Sequence, residues 1–126
     1  MNNRKVYISG KIVPEVDAKI SIFDSAVLLG DTVTESTRTF NFKPFKLDDH
    51  LERLYKSFKL TRIDPQMTIE EMKKVSLDLL EINKDQYKGN EDCWLVHNIS
   101  RGHSITGGNP ALQVSKPTVM IYTQPM

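Results

Sequence analysis

The chain has 126 residues, length for one domain, and its 39% hydrophobic and 26% charged content is that of an ordinary globular protein. Lysines and arginines number 17 against 16 acidic residues, a net charge of +1 without the clustered cations that nucleic-acid binding needs. A single cysteine, Cys93, excludes an intrachain disulfide, no Cys/His pair has zinc spacing, and the longest apolar run, Ala26 to Leu29, cannot span a bilayer.

Taken in chain order, Arg4 to Ile8 and Lys11 to Val13 are short β-rich runs joined by Ser9-Gly10, which predicts a hairpin. The first residues lead into that strand and not into an apolar leader, so a cytoplasmic location is expected. Asp17 to Phe23 alternates, with Ala18, Ile20 and Ile22 on one side, as a half-buried strand or extended segment would. Ser25 to Leu29 has room for one helical turn, closed by Gly30.

Thr32 to Phe40 is dense in β-branched residues and reads as a strand, turning at Asn41 to Lys43 and returning through Phe45. Asp48 is the expected cap of a helix whose Leu47, Leu51, Leu54 and Phe58 form one apolar stripe. On the same helix Lys56, Lys59 and Arg62, interleaved with Tyr55 and Phe58, read as a solvated face. Past Pro65, Thr68 and Glu71 have capping-box spacing, and Ile69, Met72, Val75, Leu79 and Ile82 supply a second apolar face.

After the polar connection of residues 84–91, Cys93 to Ser100 predicts another strand, Ser104 to Pro110 a loop, and Thr118 to Tyr122 a last strand. Strands, two helices and strands again make an α+β domain, an antiparallel sheet covered by two helices.

Several residues could carry chemistry. His50 and Arg53 lie three apart on the first long helix, and the arginine fork suits a phosphate; a solvent-facing charged pair is the alternative. Thr34, Ser36 and Arg38 share one face of their strand, either lining a polar pocket or forming a solvated edge on which Glu35 and Arg38 keep water contact. The glycine-rich stretch from Ser100 to Pro110 is long enough for a binding loop, but its glycines lack dinucleotide-fingerprint spacing. Cys93 and His97 read as structural residues of a buried strand.

Taken together, Val13-Pro14, Asp17 to Ser21, Asp24, the Gly30-Asp31 turn with Val33 and Glu35, and Phe45 to Leu54 resemble the class IV (fold-type IV) aminotransferases. That family includes branched-chain and D-amino-acid aminotransferases, (R)-selective amine transaminases and aminodeoxychorismate lyase.

The resemblance implies pyridoxal 5'-phosphate as cofactor, an amino donor and a 2-oxo acid acceptor as substrates, and a homodimer. It implies further that Arg53 binds the cofactor phosphate, that Thr34, Ser36 and Arg38 face the substrate pocket, and that Leu29 reaches the pocket of the neighbouring subunit. Thr34 stands where many members have an aromatic residue. Thr106 and Gly108 stand where D-amino-acid aminotransferases place an arginine and a histidine, which disfavours D-alanine-type specificity.

By the same resemblance, residues 1–126 correspond to the N-terminal small domain. The lysine that binds the cofactor covalently belongs to a second domain beginning after Met126, and Lys116 is a surface lysine, not its substitute. The alternatives are a non-catalytic binding or assembly domain that keeps the fold, and an aminodeoxychorismate lyase-like enzyme.

Overall fold

The computed structural model describes residues 3–88, 91–103 and 116–126. Its elements are β1 (Lys5–Ile8), β2 (Lys11–Pro14), α1 (Ser25–Leu29), β3 (Thr32–Phe40), β4 (Lys43–Pro44), α2 (Leu47–Thr61), α3 (Ile69–Asn83), β5 (Cys93–Ser100) and β6 (Thr118–Pro125). The strands form one six-stranded sheet in the order β2-β1-β6-β5-β3-β4, every pairing antiparallel. This is the α+β architecture expected from the element order.

One face of the sheet carries the core. Tyr7, Val33, Cys93, Leu95, Ile99, Val119 and Ile121 are buried, and the alternation of strand side chains puts them on the face that meets α2 and α3. Leu47, Leu51, Leu54 and Phe58 of α2 and Met72, Leu79 and Leu80 of α3 complete the same cluster. Burial of this apolar area is what holds the helices to the sheet.

The polar strand β3 is held in part by hydrogen bonds from its buried side chains, although the hydroxyl of buried Thr37 has no partner among the described residues. Thr39 Oγ1 donates to Asp92 Oδ1 at 2.8 Å and accepts from the Cys93 amide at 3.0 Å, while Asp92 Oδ1 also accepts from the Phe42 amide at 2.9 Å. The β3–β4 turn is thereby tied to the start of β5.

Three local expectations are corrected. Asp17 to Phe23 is not a strand: a 3-10 turn over Glu15–Asp17 leads into an irregular stretch in which Ala18 and Ile20 are half-buried and Ile22 is exposed. Its alternation reflects burial of Ala18 and Ile20 alone, and among the described residues no neighbouring strand pairs its backbone. Asp48 does not cap α2. The cap lies two residues earlier, at Lys46 in the left-handed conformation at φ 54°, and Asp48 and Asp49 occupy the first turn, where they favour the helix dipole. Ile82 is exposed, and Leu80, Ser76 and Asn83 are buried in its place. The buried stripe of α3 follows contacts on both its sheet side and its α2 side, which shifts it from the hydrophobic spacing. The capping box of Thr68 and Glu71 is present as expected.

Candidate functional site

β3 sits next to the edge of the sheet. β4 pairs with it only at Thr39 and Phe40, so among the described residues no strand lies beside residues 32–37 on that side. The two faces of β3 present different chemistry there.

On the helix face, Glu35 is buried, its side chain 5% exposed, and it draws in both candidate residues of α2. His50 Nδ1 lies 2.7 Å from Glu35 Oε1, and because an ionised carboxylate only accepts, Nδ1 is the donor. Arg53 donates from Nε to Oε2 at 3.0 Å and from Nη2 to Oε1, yet its side chain remains 69% exposed. Burial pushes the Glu35 carboxyl up, but the hydrogen bonds from Arg53 and His50 outweigh it and hold the group below the usual glutamate range. His50 and Arg53 are therefore not a simple solvent-facing pair, and Glu35 does not keep the water contact that a solvated edge would give it.

Behind Glu35, directly across in register, His97 is fully buried. The Ser76 hydroxyl donates to the Met72 carbonyl at 2.7 Å, so His97 Nε2–H is the donor to Ser76 Oγ, also at 2.7 Å. Desolvation lowers the imidazole to about 4 and keeps it neutral. His97 is structural, as its place inside the strand suggests. Cys93 is buried likewise, with its thiol pushed up to about 11 by burial.

On the opposite face, Thr34 and Ser36 are exposed and stand beside Asn98 and Val96 of β5, with Met120 and Tyr122 of β6 beyond. Arg38 shares that face, its guanidinium 3.8 Å from the centre of the Phe40 ring and 3.9 Å from Asp92. Arg53, bonded to Glu35, and the trio of Thr34, Ser36 and Arg38 thus lie on opposite sides of β3. Leu29 ends α1 at 59% exposure, within a run that also exposes Ile22, Phe23, Val27 and Leu28. Asp24 fixes the base of that run: its carboxylate accepts from the Ala26 amide at 2.9 Å, from Ser100 Oγ at 2.6 Å and from Thr118 Oγ1 at 2.5 Å. Thr106 and Gly108, with the rest of the glycine-rich stretch from Ser104, for which the sequence predicts a loop, lie outside the described residues.

Residues 32–126 match the family described as amino-transferase class IV. The chain belongs to the class IV aminotransferases. A Methanocaldococcus jannaschii protein provisionally named a branched-chain-amino-acid aminotransferase is 38% identical over 97% of this chain and 40% of its own length. Aminodeoxychorismate lyase of Bacillus subtilis is 36% identical over 93% of this chain and 39% of its own. Among solved structures, the branched-chain aminotransferase of the archaeon Thermoproteus uzoniensis with norvaline superposes with a TM-score of 0.81 at 25% identity, over 97% of this chain and 40% of that one. The chain spans about two fifths of the length of these class IV relatives.

Glu35 is the partner of His50 and Arg53 that the expected site residues do not include. Glu35 was visible in the family-like turn after Gly30, but nothing in its local pattern marks it as the group on which His50 and Arg53 converge. A buried acid between polar neighbours, fifteen residues before a histidine, leaves no periodic signature.

Proposed function

We propose that this chain is the small domain of a pyridoxal-phosphate-dependent aminotransferase acting on an amino acid or amine donor and a 2-oxo acid acceptor. A second domain following these residues would supply the lysine that binds the cofactor covalently; the two-fifths coverage of the relatives supports this division. The observation that carries the reading is Arg53, anchored to the buried Glu35 of β3 yet itself largely exposed.

The donors fit a phosphate. A guanidinium has five N–H groups, and Glu35 engages only Nε and one hydrogen of Nη2, so three remain in the fork geometry that phosphate oxygens match. When bound, pyridoxal phosphate supplies the electron sink for chemistry at the substrate α-carbon. In this chain Arg53 holds the phosphate, while Thr34, Ser36 and Arg38 present hydroxyls and a cation to the substrate from the other face of β3. Arg38 reaches a carboxylate by leaving its contact with Phe40 and Asp92. We further infer a homodimer in which the exposed Leu29 enters the neighbouring subunit's pocket, and a cytoplasmic location, in keeping with the free thiol of Cys93.

The test is cofactor binding by the full-length protein. Pyridoxal phosphate should bind and support amino transfer, and Arg53→Ala should weaken its affinity about tenfold or more, the loss expected for charged hydrogen bonds. Unchanged affinity would remove Arg53 from the phosphate site. The relative named aminodeoxychorismate lyase keeps a carbon–carbon lyase as the second reading, and product analysis with aminodeoxychorismate separates the two.

A further inference from the structure

We propose that Glu35 is the positioning residue of the anion site: by taking the Nε/Nη2 side of the largely exposed Arg53 it leaves the Nη1/Nη2 end of the guanidinium to face an anion. The inference rests on the reading of Arg53 as the phosphate ligand.

Burying a carboxylate in a sheet–helix interface is unfavourable, and an apolar side chain at that place would stabilise the domain as well or better. The partner that would offset this cost, Arg53, is largely exposed, and an ion pair with an exposed member contributes little to stability. Stability therefore gives no sufficient reason for the pair, whereas orientation does.

A free arginine on a helix surface samples many rotamers, each of which would have to be given up on binding an anion. Two hydrogen bonds from one side of the guanidinium plane to one buried carboxylate fix both its position and its plane. His50 Nδ1, 2.7 Å from Oε1, gives the carboxylate a further donor besides the arginine, which restrains Glu35 itself. With one edge of the guanidinium occupied, the end-on fork is the surface left for a phosphate. The burial of Glu35 also keeps its negative charge behind the arginine and away from the incoming anion.

The experiment compares two probes on the cofactor-free full-length protein, pyridoxal phosphate and pyridoxal, which differ only in the phosphate. Equilibrium titration should show Glu35→Gln losing about tenfold in affinity for pyridoxal phosphate and less than about twofold for pyridoxal. In an Arg53→Ala background the same Glu35→Gln change should do nothing further to the ratio of the two affinities, because Glu35 acts through the arginine.

If Arg53→Ala leaves that ratio unchanged, the phosphate reading itself fails. If Arg53→Ala lowers it and Glu35→Gln does not, only the positioning role is overturned; equal losses for both probes also overturn it, since they would mark a general structural effect. Should Glu35→Gln fail to fold, Arg53→Lys decides. A lysine keeps the charge and the pair with Glu35 but has no second face, so it should lose the phosphate preference nearly as Arg53→Ala does, and a wild-type ratio would overturn the proposal.

Discussion

At the scale of single residues, burial sets the chemistry of the histidine behind the site. His97 is enclosed beneath α3 with its Nδ1 unpartnered, and desolvation lowers it from the ordinary 6.5 to about 4. The unfolded chain takes up a proton at this residue below about pH 6.5, while the folded chain does not until about pH 4. The stability this contributes is complete above pH 6.5 and is lost as the pH falls through that window. Glu35, held below its ordinary 4.5, adds its own loss only at lower pH. Thermal midpoints measured from pH 7 downward should therefore fall across the window in the wild type and be flatter in His97→Gln; parallel curves would assign the slope to another group.

At the scale of elements, helix ends report how local sequence and tertiary contacts divide the work. α3 begins with a reciprocal capping box, Thr68 Oγ1 accepting from the Glu71 amide at 3.1 Å and the Thr68 amide donating to Glu71 Oε1 at 3.3 Å. Thr68→Ala should cost about 1 kcal/mol, seen as a lower denaturant midpoint. α2 ends on Arg62 in the left-handed region at φ 58°, where glycine avoids the Cβ penalty, so Arg62→Gly should stabilise by about 0.5–1 kcal/mol in the same experiment. The retained Arg62 carbonyl still accepts from Arg101 Nη1, so that tie is not disturbed. The far end of α3 is held differently. Asn83 accepts from the Lys5 amide at 2.7 Å and donates to the Lys5 carbonyl at 2.9 Å, giving the start of β1 a side-chain partner. The apolar spacing of α3 gives no sign of this, because the contact joins residues 78 apart in sequence.

At the scale of the whole molecule, two surfaces stand out among the described residues. One is the face of β3, β5 and β6 that α2 and α3 do not cover, bearing Thr34, Ser36, Asn98 and Tyr122. The other is the run of Ile22, Phe23, Val27, Leu28 and Leu29, each between 50% and 68% exposed. Exposed apolar side chains in one short segment suit the association surface that the proposed homodimer needs, and Asp24 anchors the segment through Ser100 and Thr118. For the proposed homodimer, Leu29→Asp should shift the full-length protein toward monomer in sedimentation velocity. An unchanged dimer would place the interface elsewhere.

The sequence by itself determined the helices, the principal strands, the class of fold and the family. Each of these is written either in short-range periodicity, as in Leu47, Leu51, Leu54 and Phe58, or in contiguous motifs, as in Phe45 to Leu54. It could place Thr34, Ser36 and Arg38 on one strand face, because alternation is a local property. Only the tertiary structure decided which face the helices cover and that Arg53 meets that strand from the opposite side. It also turned Glu35 from a water-facing edge residue into the buried anchor of His50 and Arg53. The physical reason is that strand order and helix docking are set by burying one common core. A carboxylate's partners then depend on which distant residues that core brings within hydrogen-bonding reach.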